Sequence, residues 1–253
     1  MSVCINTAGS QVQVGGSGLG GVCSELRSAG FASLSLDSSS VARHSSHFSN
    51  ARGPLDLCGT EDSVIRVNET YSGKSSSTSS STSSSSTFTG FHSMGGLSAY
   101  NACREGFVFS NGDLMHLPAP YDNFYSSCDD FRREGCEIAK IVYNELEKHL
   151  KLPNNYFEQQ FGQLEATCQW HIKRYDPSSP SDVLLPMHTD PSLISVVLHD
   201  CPPSPGCLGL EVLDEDTKGW KEPEGCGHGR ATVLVGSVME KITCGYLRAA
   251  RHR

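Results

Sequence analysis

The chain has 253 residues, with 28 acidic against 20 basic side chains and a formal net charge of -8. That balance argues against nucleic acid and anionic membrane surfaces as partners, and no apolar run approaches the roughly 20 residues of a membrane span. The length suits one sizeable core, or one core with a small module. Eleven cysteines, an odd number with no C-x-x-C pair, read as reduced thiols. With no basic-then-apolar leader at the N-terminus, they point to a cytoplasmic protein.

Residues 1–21 are polar and Gly-rich and read as a disordered tail. Within them Gly16-Ser17-Gly18-Leu19-Gly20-Gly21 spells G-x-G-x-x-G. The run before it is short and weakly apolar, and no βαβ alternation follows, so a dinucleotide site is the poorer reading. Val22 to Ala29 suits a short helix closed by Gly30. Phe31 to Leu36 alternates apolar and polar residues, as a half-buried strand does. Residues 37–71 are polar and irregular, with a helix expected around Val41 to Phe48. Together, residues 22–71 form an N-terminal helix and strand module.

Residues 72–92 contain a Ser/Thr tract that has little apolar surface to bury, which suits a linker. Asp129 to Leu150 is the clearest helix. Phe131, Ile138, Ile141, Val142, Leu146 and Leu150 form one apolar stripe, Asp129 is placed to cap the start, and Pro153 stops continuation. Thr167 to Tyr175, Leu193 to Leu198, Gly209 to Leu213 and Ala231 to Val235 are short β-like runs parted by Pro/Gly/Asp loops. A long helix leading into several short strands predicts an α+β chain, a helix-backed antiparallel sandwich or jelly roll. Phe107, Phe109 and Tyr121 read as core aromatics or cavity lining.

The chemistry concentrates in His188-Thr189-Asp190 and in His252 of Ala250-Arg251-His252-Arg253. Residues two apart on a strand point to the same face, so His188 and Asp190 can reach one ion together. Two imidazoles and a carboxylate are the ligand set that holds non-haem Fe(II) and leaves positions open. An H-x-D alone is a weak signal in a chain with ten histidines. His199, at a strand end, and His228, in a Gly-rich loop, read as structural or solvent-facing.

Leu185-Pro186-Met187-His188-Thr189-Asp190-Pro191-Ser192-Leu193-Ile194-Ser195-Val196-Val197-Leu198 resembles the plant-type 2-oxoglutarate/Fe(II)-dependent dioxygenases, the isopenicillin N synthase-like group. So does Gly236 to Gly245, followed by Ala249 to Arg253. Trp170 to Tyr175, Gly209 to Val212 and Trp220 fit the flanking strands, and Leu26 to Phe31 fits the N-terminal helix and strand. The match is good over about 160–253 and weak over 22–36. The resemblance implies a double-stranded β-helix (jelly roll) over 93–253, incomplete at its C-terminus. It implies Fe(II) on His188, Asp190 and His252, 2-oxoglutarate as co-substrate with Tyr175 near its carboxylate, and O2. It also implies a small organic substrate hydroxylated or desaturated with release of succinate and CO2, by a monomer.

Two departures bear on activity. The family pattern continues past the distal histidine with an arginine and then a serine that pair with the far carboxylate of 2-oxoglutarate; here Arg253 is the last residue. Lys173 stands where many relatives carry Asn. A missing guanidinium fork weakens co-substrate binding by roughly 2–5 kcal/mol. A distal histidine beside a chain end is expected to fray. The reading that competes with an oxygenase is therefore an impaired or inactive paralogue acting as a binding protein.

Overall fold

The computed structural model describes residues 20–36, 38–58, 90–94, 102–110, 124–176, 178, 183–200, 209–223 and 229–253, with two short strands at 3–5 and 13–14. In chain order the elements are β1 (Val3–Ile5), β2 (Gln13–Val14), α1 (Gly20–Ala29), β3 (Phe31–Leu36), α2 (Ser38–Cys58), β4 (Gly90–His92), β5 (Arg104–Ser110) and α3 (Phe124–Leu150). Then follow α4 (Tyr156–Phe161), α5 (Leu164–Thr167), β6 (Gln169–Tyr175), β7 (Ile194–Leu198), β8 (Val212–Leu213), β9 (Trp220–Lys221), β10 (Arg230–Val235) and α6 (Ser237–Ile242). The strands make a five-stranded sheet in the order β2-β1-β3-β10-β7, a three-stranded sheet β4-β5-β6 and a β8-β9 pair. Every strand pair is antiparallel except β1 with β3.

The chain divides into two compact units. One comprises Met1–Phe48, Asp130–Leu164 and Met187–Arg253; the other comprises Ser49–Asp129 and Glu165–Pro186. In the first unit, Val22, Cys23 and Leu26 form the buried stripe of α1. Gly30 ends the helix at φ 78°, and its N–H returns to the Leu26 carbonyl. A side chain there would also lie 2.9 Å from the Arg248 carbonyl oxygen, so only glycine fits. β3 and β10 then pair from Phe31 opposite Leu234 to Ser35 opposite Arg230. The alternation of β3 foretold one buried face, yet Ser33 is buried along with Ala32 and Leu34, because the strand lies inside the sheet. β10 is buried from Ala231 to Val235.

The apolar stripe expected on α3 is buried at Phe131, Ile138, Val142 and Leu146. Glu147, buried on the same helix, accepts hydrogen bonds from the Asn155 and Phe157 N–H groups and so seats α4. Glu134 takes the Arg43 guanidinium at 3.2 Å, and His44 approaches it at 3.4 Å. Burial pushes the Glu134 carboxyl up, but hydrogen bonds from His44, Ser40 and Arg43 outweigh it and hold the group near 2. In the second unit Phe107, Ile172, Phe124, Cys128, Ala51 and Leu55 form the core, with Phe91 and Trp170 packed against it.

Several expectations require correction. α3 begins at Phe124 and Asp129 lies within it, so Asp129 is not its cap; the aromatic Phe124 extends the apolar pattern by more than a turn. The helix expected near 41–48 runs from Ser38 to Cys58 through Pro54. Thr167, the expected first residue of a strand, ends α5, and the strand runs from Gln169 to Tyr175. β4 and β5 were not foreseen at all. The tail expected over 1–21 carries β1 and β2, and α1 starts at Gly20. Phe107 packs in a core, as an ordinary aromatic does. The Ser/Thr tract, Tyr121, His228 and Gly16 to Leu19 lie outside the described residues, as does the Phe109 side chain. Cys23, Cys103, Cys128, Cys136, Cys168 and Cys244 are not in disulfides. No helix among the described residues is long and apolar enough to cross a membrane.

His47 stacks on Phe131 with ring centroids 4.2 Å apart. Burial, with His44 adding to it, holds the His47 imidazole near 4, and burial does the same to His199. The native state therefore resists a proton that the unfolded chain binds at the ordinary value of 6.5. These groups contribute their full stability above about 6.5, and the contribution declines as pH falls from there toward about 4. His47→Phe keeps the stack and removes the titration, so it should flatten that decline; urea unfolding at about pH 7.5 and about pH 5 measures it.

Candidate metal centre

Asp190 lies in the turn before β7, and His188 lies two residues upstream in an isolated bridge with His252. That bridge is a reciprocal pair: the His188 N–H donates to the His252 carbonyl and the His252 N–H to the His188 carbonyl, both at 2.9 Å. Directly opposed residues in an antiparallel pair present their side chains on one face. The two imidazole rings accordingly lie 4.1 Å apart, centroid to centroid.

Asp190 closes the third side. Its Oδ1 is 3.6 Å from His188 Nε2 and 3.8 Å from His252 Nε2. The three donor atoms lie within 4.8 Å of one another, and this is the one such His/Cys/Asp/Glu group among the described residues.

His252 and Asp190 are held in the protonation states that a cation requires. His252 is 7% exposed, and burial pushes its imidazole toward the neutral form against the pull of the Ala250 carbonyl and Asp190. Its Nδ1 lies 3.0 Å from the Ala250 carbonyl oxygen. A carbonyl only accepts, so that nitrogen carries the proton and Nε2 offers its lone pair toward Asp190 and His188. Burial pushes the Asp190 carboxyl up, but hydrogen bonds with His188 and Ser195, aided by His252, hold it near 2. Two imidazoles and a carboxylate on one face fit a divalent transition-metal ion.

The chain end is held, which corrects the expectation that His252 would fray. Ala250 N–H donates to Val235, Leu213 N–H to Arg251, and Arg253 and Glu211 exchange two backbone bonds. The Arg253 side chain meets Glu211 at 2.7 Å and lies over the Trp220 ring at 4.3 Å. Val212 and Ala250 are core residues of this region.

Sequence reasoning missed three parts of the centre. Ser195 helps hold the Asp190 carboxyl down and lies 3.1 Å from the Ser192 hydroxyl; its place on the strand after the H-x-D was the available signal. α6 was read only as part of a matching stretch. The Ser237 N–H at its start donates to the Asp190 carbonyl and the Val238 N–H to Ser192. Gly236 precedes them, and a Cβ there would lie 2.1 Å from the Ser192 carbonyl oxygen.

Of the other expected site residues, Tyr175 belongs to the second unit, opposite Arg104 at the end of β6, and is 39% exposed. His199 lies outside the three-residue group.

No family model matches the chain, and no curated protein matches it by sequence. Solved structures do match. The rice dioxygenase for auxin oxidation is 17% identical, with a TM-score of 0.64 over 94% of this chain and 74% of its own. Full-length Neurospora crassa T7H, in complex with alpha-KG and 5-formyluracil, is 14% identical, with a TM-score of 0.65 over 92% and 70%. JOX2 in complex with 2OG, Fe and JA is 16% identical, with a TM-score of 0.63 over 92% and 64%. The chain therefore has the fold of the 2OG-Fe(II) oxygenases. At these identities the likeness defines fold rather than activity.

Two substitutions probe how the centre is held. Ser195→Ala should lower divalent-metal affinity by about 10- to 100-fold, and Ser195→Thr should keep it, both read from Co(II) absorption titrations. Gly236→Ala drives a methyl into the Ser192 backbone and should cost at least about 1–3 kcal/mol of stability, measured by urea unfolding.

Proposed function

We propose that the chain is an Fe(II)- and 2-oxoglutarate-dependent oxygenase acting on a small organic substrate. The observation that carries this reading is the group of donor atoms on His188, Asp190 and His252, within 4.8 Å of one another, in a chain with this fold. The neighbours add weight: one was solved with 2OG and Fe, another with alpha-KG. In this reading the fold is a double-stranded β-helix.

The chain's part is positional. His188 and His252 would hold Fe(II) through their Nε2 atoms, and Asp190 would supply the one anionic ligand. Ser195 favours the ionised Asp190 carboxylate, and the Ala250 carbonyl keeps the His252 proton on Nδ1. With Fe(II), 2-oxoglutarate and O2 bound, the site would supply C–H oxidation with release of succinate and CO2. Three protein ligands leave positions open for small molecules, and the half-buried Asp190 gives them a way in.

The test is anaerobic absorption spectroscopy. Adding Fe(II) and 2-oxoglutarate to the purified chain should give the iron–ketoacid charge-transfer band, and Asp190→Ala should abolish it. Succinate release under air then distinguishes an active oxygenase from a chain that binds both and turns neither over. Absence of the band with folded protein would overturn the reading.

A further inference from the structure

The three-stranded sheet of the second unit has two unlike faces. Side chains alternate along each strand, and the register places Phe91, Phe107 and Ile172 in one row, the core face. The opposite face carries the row His92, Gly106 and Lys173, with Arg104 opposite Tyr175 and Val108 opposite His171 beside it. No carboxylate comes from the described residues of these strands on that face, although the chain as a whole is acidic. Glu105 points to the other face, where it holds Arg174 at 2.5 Å.

Gly106 makes the row chemically unusual. β5 and β6 approach so closely there that a Cβ would lie 2.0 Å from the Ile172 carbonyl oxygen. The central strand therefore has no side chain between its neighbours, and His92 and Lys173 meet across the gap, Nζ to Nε2 at 2.5 Å. His92 is 4% exposed, and Lys173 is partly buried. A buried ammonium is normally matched with a carboxylate; Lys173 has an imidazole instead.

Both groups are pushed toward the neutral form. Burial, with Arg104 adding to it, lowers the Lys173 amine to about 7. Burial, then Lys173, lowers the His92 imidazole to about 4; Arg104 and His171 push the same way, against the Ser93 backbone. A lysine desolvated beside another cation is the usual form of an amine nucleophile.

We propose that Lys173 is a carbonyl-reactive amine that condenses with small aldehydes and ketones to a Schiff base, with His92 as its proton carrier. The Nζ lone pair attacks the carbonyl carbon and forms the C–N bond, and the carbonyl π electrons move to oxygen. His92 Nε2 relays the two nitrogen protons in turn to the oxygen; the C–O bond then breaks, the oxygen leaves as water, and the nitrogen lone pair closes the C=N bond. The step needs no oxidant or reductant. It needs no metal either, so it stands or falls apart from the oxygenase reading.

The probe is formaldehyde with cyanoborohydride, applied to the metal-free full chain at about pH 7, with methylated lysines located by peptide mass spectrometry. Lys173 should be methylated at least ten-fold faster than the exposed Lys151 and Lys241, with its rate half-maximal near pH 7. His92→Gln should slow Lys173 several-fold and leave Lys151 unchanged. Lys173 labelling at or below the rate of Lys151 in the unmodified chain would overturn the proposal. A His92→Gln protein that labels at the original rate would remove His92 from it.

Discussion

Two backbone hydrogen bonds, exchanged between His188 and His252 at 2.9 Å, are the constraint on which the candidate metal centre depends. They bring together residues 64 positions apart in the chain, since 252 minus 188 is 64. They also fix which way the imidazoles point, because opposed residues share a face. Neither bond needs a particular side chain. The histidines are thus free to be ligands while the backbone does the holding. The segment from Ala250 to Arg253 also bonds Val235, Leu213 and Glu211, so the position of His252 does not rest on the His188 bridge alone.

Asp190 is held differently, from behind. Its carbonyl accepts from the first N–H of α6, and its carboxylate from Ser195. Backbone donors at a helix start have no partners within the helix, and here they are used to pin the turn that carries a ligand. Gly236 permits the approach. The low exposure of His252 and the hydrogen bonding of Asp190 act in opposite directions on the two groups' charge. One is kept neutral and the other ionised, which is what a cation asks of imidazole and carboxylate.

Much of this was legible in the sequence because local pattern carried it. The strand from Phe31 to Leu36, the α3 stripe from Phe131 to Leu146, and the H-x-D spacing all depend on periodicity within one element. β4 and β5 were not legible: Gly90–His92 is too short to show a period, and in β5 the face opposite the core row holds Arg104, Gly106 and Val108, which break the alternation. The start of α3 was misplaced because Asp129 looked like a cap, while Phe124 and Cys128 extend the stripe into another core. The expected fraying at His252 came from counting residues after it; what holds it is pairing with segments far upstream.

The sequence by itself determined the candidate ligands, the two-residue spacing of His188 and Asp190, the long helix and the acidic net charge, because each is a property of neighbouring residues or of composition. Only the tertiary structure decided that His252 meets Asp190 and that the proton of His252 sits on Nδ1. It alone decided that Ser195 and α6 stand behind the carboxylate, and that Lys173 faces His92 across a glycine. Each of these depends on register between strands far apart in the chain, and register is set by pairing and packing of the whole fold rather than by any local run of residues.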